Sequence, residues 1–303
     1  MSNRKKPASG RKARRFAFVK VDVFSSRPLE GNQLAVFPDA RGLRDAEMQA
    51  LAREMNLAET TFVLPRSRAV EAKQGVKVRI FTVAEELPFA GHPTLGSAFV
   101  LRKGKPGEVA LDLKAARVPV RFETLDGILF GEMQQRDPMM GSLHDKGAVA
   151  AAAGLDPDAI DPALPIQTVS TGLPFAIVPL RSLAIMRELA PSWKRMAEYV
   201  EPTDAKFLYF VARETVDPKA RLHARMIFYN GEDPATGSAA GCCAAWMVAH
   251  GVAQPDERVL IEQGVEIKRP SRIFVRAGRT GNKIVNVRVG GNVAPVMRGE
   301  VTL

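Results

Sequence analysis

The sequence predicts an α+β protein of two related domains, each wrapping its strands around one apolar helix. Three observations carry that expectation. The 303 residues exceed what a single core ordinarily holds, so two domains are the default. Short runs with strand periodicity recur throughout, and two helical runs are almost wholly apolar. Shifting the chain by 146 residues lays Arg79 on Arg225, Glu86 on Glu232, Pro88 on Pro234, Gly91 on Gly237 and Ala98 on Ala244. These coincidences fall on residues that punctuate the backbone, so each half reads as strand, acidic-proline turn, glycine and buried helix.

Residues 1–15 carry seven cations, no acid and little to bury, so they read as a disordered basic tail. Residues 16–24 alternate with β-branched and aromatic side chains, as a strand does, and residues 28–32 turn the chain into a second strand at 34–37. Asp45 is expected to cap a helix whose Met48, Leu51, Ala52 and Met55 keep helical spacing. Strands at 60–64 and 76–82 precede a glycine-bearing turn, 89–94, which opens an apolar helix at 95–101. Alternating strands fill 108–133. Gly, Pro and Asp around 136–147 mark the expected hinge. The second half repeats the scheme, with a helix at 146–153, a strand at 167–179 interrupted at Gly172, helices within 182–200, and strands at 207–212 and 222–229. A second glycine-bearing turn, 233–238, opens an apolar helix at 239–249, and strands run from 259 to the end. The expected domains are 16–138 and 139–291, with 292–303 completing the first.

The formal net charge of +10 invites a nucleic-acid or membrane reading. Removing the tail leaves 36 basic against 33 acidic residues, so the body is only +3 and shows no interleaving of aromatic and basic residues. Nucleic acid is therefore not an expected partner beyond weak contact with the tail. No apolar run reaches the 18 or so residues of a membrane span, and no secretory stretch opens the chain. Cys242 and Cys243 are adjacent, which suits neither a disulfide framework nor a zinc site and fits a reducing, cytoplasmic compartment. They read as buried structural thiols. No Walker loop, dinucleotide fingerprint, H-E-x-x-H or G-x-S-x-G occurs, so neither metal nor cofactor is expected.

Chemistry is expected at the two glycine-bearing turns. A helix N-terminus exposes unpaired N–H groups with partial positive charge, and two of them across a cleft would suit a small carboxylate. Ordinary helix caps, with Asp233 and Ser238 among them, are the alternative. His92, at the first turn, reads either as a hydrogen-bonded structural histidine or as a proton-transfer group. Glu59, between a helix and a strand, reads either as a surface residue or as a carboxylate aimed into a cleft and partly desolvated. Glu123, Asp126 and Asp137 are candidates of the same kind with less context.

The segments Val21-Asp22-Val23-Phe24, Pro28-Leu29-Glu30-Gly31-Asn32, residues 55–63 (MNLAETTFV) and Arg79-Ile80-Phe81-Thr82 resemble the phenazine biosynthesis PhzF-like proteins. So do the turns at 88–94 (PFAGHPT) and 232–240 (EDPATGSAA), Gln263-Gly264, Arg269-Pro270-Ser271 and Gly290-Gly291. The resemblance runs from about residue 16 to the end. It implies the diaminopimelate epimerase-like fold: two pseudo-symmetric domains, each a curled β-sheet around a central helix, with the active site between them. It places the proton-moving acid/base on Glu59 and substrate-holding roles on His92, Asp233 and Ser238. Gly91 and Gly237 then expose the N–H groups that hold the substrate. Where the epimerase branch carries two cysteines, this chain has about Ala90 and Thr236, which disfavours a two-thiol racemase. Gln33 and Val83 stand where relatives often carry proline.

The expected activity is thus a cofactor-independent isomerase moving a proton on a small carboxylate, similar to trans-2,3-dihydro-3-hydroxyanthranilate isomerase, working in the cytoplasm as a homodimer. An amino-acid racemase or epimerase of the same superfamily is the alternative, and it would label the α-carbon of both enantiomers in deuterated water. A non-catalytic carboxylate-binding protein would bind its ligand regardless of Glu59 and exchange no protons.

Overall fold

The computed structural model describes residues 13–125, 127–228 and 231–303. The first half runs β1 (Arg15–Val23), β2 (Asn32–Phe37), α1 (Asp45–Met55), β3 (Glu59–Leu64), α2 (Arg68–Gln74), β4 (Val76–Phe81) and β5 (Glu86–Leu87). It continues with α3 (Gly91–Leu101), β6 (Gly107–Asp112), β7 (Arg117–Leu125) and β8 (Ile128–Gln134). The second half runs β9 (Met139–His144), α4 (Lys146–Ala153), β10 (Ile166–Ser170), β11 (Pro174–Leu180), α5 (Leu183–Glu188), α6 (Trp193–Val200) and β12 (Phe207–Ala212). Then come β13 (Leu222–Arg225), β14 (Ile227–Phe228), β15 (Gly231–Glu232), α7 (Gly237–Ala249), β16 (Val259–Gln263), β17 (Ser271–Thr280) and β18 (Lys283–Thr302).

Strand order shows the internal repeat directly. The first half reads β1-β2-β3-β4-β6-β7-β8, and the second reads β10-β11-β12-β13-β16-β17-β18. Sense follows order. β2–β3 and β11–β12 are both parallel, as are β4–β6 and β13–β16, while β3–β4, β6–β7 and β7–β8 are antiparallel like their counterparts. β18 pairs with β17, then with β8, and nine of its last ten residues pair with β1, so the first sheet closes into a ring.

Each curled sheet surrounds one helix. α3 buries Gly91 through Ala98, and α7 buries eleven of its 13 residues, Trp246 and both cysteines included. A helix apolar on every side finds no solvent face and goes to the centre. Trp246 is fully buried yet still donates its indole N–H to Pro165 O at 3.1 Å. Amphipathic helices stay outside. α1 covers Phe37, Phe62 and Phe81, whose rings stack and cross, and α4 and α6 lie over β10 to β12.

Several expectations need correction. Residues 1–12 of the expected tail lie outside the described residues, but its last residues are ordered. Arg14 exchanges both backbone hydrogen bonds with Leu303 and reaches Glu47, and Arg15 opens β1. Arg44, not Asp45, is the N-cap of α1, its N–H answered by Glu47 Oε2 at 2.9 Å. The central helices begin four and two residues before the expected 95 and 239, because proline and glycine fit the first turn that they were taken to break. The expected hinge contains strand β9.

Candidate active site

The first turns of α3 and α7 meet between the halves. A Cβ built on Gly91 would lie 3.1 Å from Gly237 Cα and C and from Ser238 N, so the two helix ends touch through glycine backbone. Neither end has a side-chain cap. Ala90 has no polar atom to offer, and the Thr236 hydroxyl is turned to Asp233 instead. The helix-cap reading of Asp233 and Ser238 therefore gives way to two open N-termini aimed at one place. Each turn is braced by an ion pair between residues that the repeat aligns. Arg79 grips Glu86 with Nε and Nη2, both at 2.8 Å, and Arg225 grips Glu232 in the same fork at 3.0 and 2.6 Å.

Glu59 is the first residue of β3, and its register partner on the parallel β2 is Leu34. Asn32, two residues before Leu34, faces the same side of the sheet, toward the start of α3. Glu59 Oε2 lies 3.2 Å from His92 Nε2, and both atoms are sealed from solvent without a well-aligned hydrogen bond. Two effects compete here: attraction favours a charged pair, and desolvation favours a neutral one. Desolvation wins on both sides. Burial, helped by the nearby Asp233 charge, lifts Glu59 to about 8, and burial lowers His92 to about 3 against a hydrogen bond with the Gln33 backbone. The resting pair at neutral pH is a carboxylic acid beside a neutral imidazole.

Across the cleft, Asp233 is held on both oxygens. Oδ1 accepts from Asn32 Nδ2 at 2.7 Å and Oδ2 from the Thr236 hydroxyl at 2.6 Å. Burial raises its carboxyl to about 6, opposed by these two bonds and by the Ala235 backbone. Gln263 organises the turn from below. It donates to Asp233 O and Thr236 Oγ1 and accepts from Thr236 N and the Tyr209 hydroxyl, so its amide is fully used. Gln135, just after β8, donates to Gly237 O at 3.0 Å and accepts from Thr171 Oγ1. Its amide fills the space beside Gly241 that a Cβ would need.

The structure thus brings Glu59, His92, Asp233, Gly91 and Gly237 together. Ser238 stands in the same first turn, half-buried, with no hydrogen bond to its hydroxyl among the described residues. Glu123 faces Arg258 and Asp137 accepts from Asn286 N, both apart from this cluster, and Asp126 lies outside the described residues. Cys242 and Cys243 are buried, and burial raises both thiols, Cys242 to about 11. Asn32, Thr236, Gln135 and Gln263 were not singled out from spacing. Asn32 and Asp233 are 201 residues apart, and only a fold can join them. Among the described residues no group of three or more His, Cys, Asp or Glu side chains could hold a metal ion, and no helix is long and apolar enough to cross a membrane.

Comparison with known proteins adds an independent line. A family model described as phenazine biosynthesis-like protein matches residues 21–299. The trans-2,3-dihydro-3-hydroxyanthranilate isomerase of Pseudomonas aeruginosa is 35% identical over 293 residues, covering 94% of this chain and 99% of that one. Among solved structures, a PhzF-family phenazine biosynthesis protein of Bacillus anthracis superposes with a TM-score of 0.86 at 26% identity, covering 96% and 100%. A probable proline racemase of Agrobacterium radiobacter, at TM-score 0.64 and 14% identity over 95% and 93%, shares the fold.

Proposed function

The chain belongs to the phenazine biosynthesis-like family, and we propose that, as an isomerase of that family, it moves a proton between two carbons of a small unsaturated carboxylate. The observation that carries this reading is the buried Glu59–His92 pair beside two uncapped helix N-termini. The N–H groups of α3 and α7 bind the substrate carboxylate and stabilise negative charge as it develops. Glu59, in its ionised form, takes a proton from the carbon adjoining the π-system. The resulting acid returns it at the far end of that system, on the same face. Neutral His92 fixes the Glu59 carboxyl, and Asp233 holds the polar group neighbouring the carboxylate. The Pseudomonas relative acts on trans-2,3-dihydro-3-hydroxyanthranilate, and a cyclic amino carboxylate of that class is the proposed substrate.

A racemase needs acid/base groups on both faces of one carbon. At the two helix entrances, Ala90 carries no proton and the Thr236 hydroxyl is committed to Asp233. One-sided proton transfer is therefore favoured over inversion. In deuterated water, trans-2,3-dihydro-3-hydroxyanthranilate should lose its ultraviolet absorption pattern, with deuterium at the new sp3 carbon in proportion to exchange of the Glu59 acid with solvent before the proton returns. Label appearing at the α-carbon of both enantiomers of an amino acid, with no such spectral change, would reverse the assignment. A cytoplasmic homodimer remains part of the proposal, consistent with the free cysteines and checked by sedimentation and fractionation.

A further inference from the structure

Asp22 carries a carboxylate into β1 at 1% exposure, and a charge so placed must be fully answered. Arg269, from the other half of the molecule, answers Oδ1 at 2.8 Å, and the Leu29 N–H answers Oδ2 at 2.7 Å. The same guanidinium donates to Glu30 O at 2.7 Å and Gly31 O at 3.0 Å. Its planar fork thus makes three bonds that an ammonium could not reproduce. Further backbone bonds, Gly31 N to Pro270 O and Arg272 N to Phe24 O, close the seam on either side. The seam also imposes a left-handed backbone on Leu29, φ 72°, although its side chain is 70% exposed and packs on little.

The residue after this grip is Asn32, whose amide spans the cleft to Asp233 Oδ1 and to Ala235 O at 2.9 Å. Behind Arg269 the circuit closes. Gly264, φ +76°, sits where a Cβ would come within 2.5 Å of Arg269 O and 2.6 Å of Pro234 O, so the Arg269 loop rests on the Asp233 turn itself. From this closed circuit we propose that Arg269 is a positioning residue, setting Asn32 against Asp233 and thereby fixing the register of the two halves of the cleft. It touches no reacting group and acts through Asn32. The inference rests on the isomerase reading for its effect on rate, but not for its effect on Asp233.

The test is Arg269→Lys, which keeps a cation beside Asp22 and loses the fork. In the free protein, carboxyl 13C titration should move Asp233 upward by about one pH unit as Asn32 slackens, because a hydrogen bond to the charged carboxylate favours its ionised form. If wild type converts the substrate, kcat should fall roughly 10- to 100-fold, the scale of a small misplacement. In an Asn32→Ala background Arg269→Lys should add nothing to the kcat loss, because both act on one contact. An unshifted Asp233 titration, or losses that add fully, would overturn the proposal. A folded strut alone would lower the melting temperature and leave the titration in place. Should Arg269→Lys not fold, Asp22→Asn loosens the same fork and is read by the same titration. If wild type transfers no proton, the titration still decides on Arg269, and the isomerase reading fails separately.

Discussion

The contact between the two helix ends can be perturbed by a single methyl group. Gly91 is the first residue of α3, where alanine suits the backbone and favours the helix by about 0.5–1 kcal/mol. Its Cβ, however, would stand 3.1 Å from Gly237 Cα and C and from Ser238 N. Such a contact is tighter than ordinary van der Waals packing, so Gly91→Ala must part the helix ends by a few tenths of an ångström. Overpacking costs about 1–3 kcal/mol, which the helix gain partly offsets, so the melt should fall by only a few degrees. Misplacing the carboxylate donors by that distance should lower kcat/KM about 10- to 100-fold. Gly96→Ala is the contrast, since its Cβ would press on Leu34 at 2.6 Å and Val23 at 2.9 Å inside the first sheet. It should destabilise more and spare the turnover of the folded fraction. The assay pairs initial rates on trans-2,3-dihydro-3-hydroxyanthranilate with thermal melts for both variants. A Gly91→Ala protein within twofold of wild-type kcat/KM would refute the idea that apposed helix ends hold the substrate.

Replacing the acid/base should separate chemistry from folding: Glu59→Gln should lose about 10²- to 10⁴-fold in kcat with an unchanged melt, and a variant with normal turnover would remove Glu59 from the mechanism. Because Glu59 is raised to about 8, its base form is only about one tenth of the total at pH 7, so log kcat/KM should climb toward pH 8 with unit slope; a flat profile from pH 6 to 8 would contradict this. His223, fully buried between Glu262 at 2.8 Å and Glu266 at 3.0 Å, is raised from 6.5 to about 9 by these carboxylates against burial. The pair therefore contributes stability that is complete below pH 6.5 and lost as pH rises through 9, on the order of 3 kcal/mol. Melting temperature should drop over that window, and His223→Gln should flatten the drop; an identical slope in the variant would rule the pair out as its cause.

How far the sequence could be read follows from what kind of signal each feature leaves. Arg79, Glu86, Gly91 and their partners 146 residues on set backbone geometry locally, so the repeat was visible, and the structure shows the same bidentate pair in each half. Trp246 and its apolar neighbours declared a central helix by having no polar face. The helix starts were harder, since Gly91-His92-Pro93 reads as a break and yet forms the first turn, which is how His92 comes to face the cleft. Asn32 and Arg269 stood inside segments of family resemblance, but spacing gave neither a role. Their partners lie 201 and 247 residues away, and nothing in short-range periodicity encodes a contact across a closed sheet. Glu59 was ambiguous for another reason: spacing places it at a strand start, but only burial makes it a weak acid.

The repeat also limits the chemistry. Both halves keep the open helix, the glycine and the Arg–Glu brace, so the proposed carboxylate-binding device is duplicated. The ionisable groups are not. By strand register Phe207 occupies the place of Glu59, since Arg79 pairs with Phe62 and its counterpart Arg225 with Phe210, while at the offset of 146 Ser238 takes that of His92 and Asp233 corresponds to Leu87. A scaffold with twofold symmetry and a proton donor on each side would present two faces of one carbon with equal opportunity, the requirement for inversion. Here one half supplies the buried Glu59–His92 pair and the other the Asp233 carboxyl, whose two oxygens are already bonded. An asymmetric charge set on a symmetric frame matches a proton that leaves and returns on one face. Converting Phe207 to glutamate would then supply no second base unless the surrounding rings were repacked, since Phe207 lies against Phe175, Trp193 and Phe228.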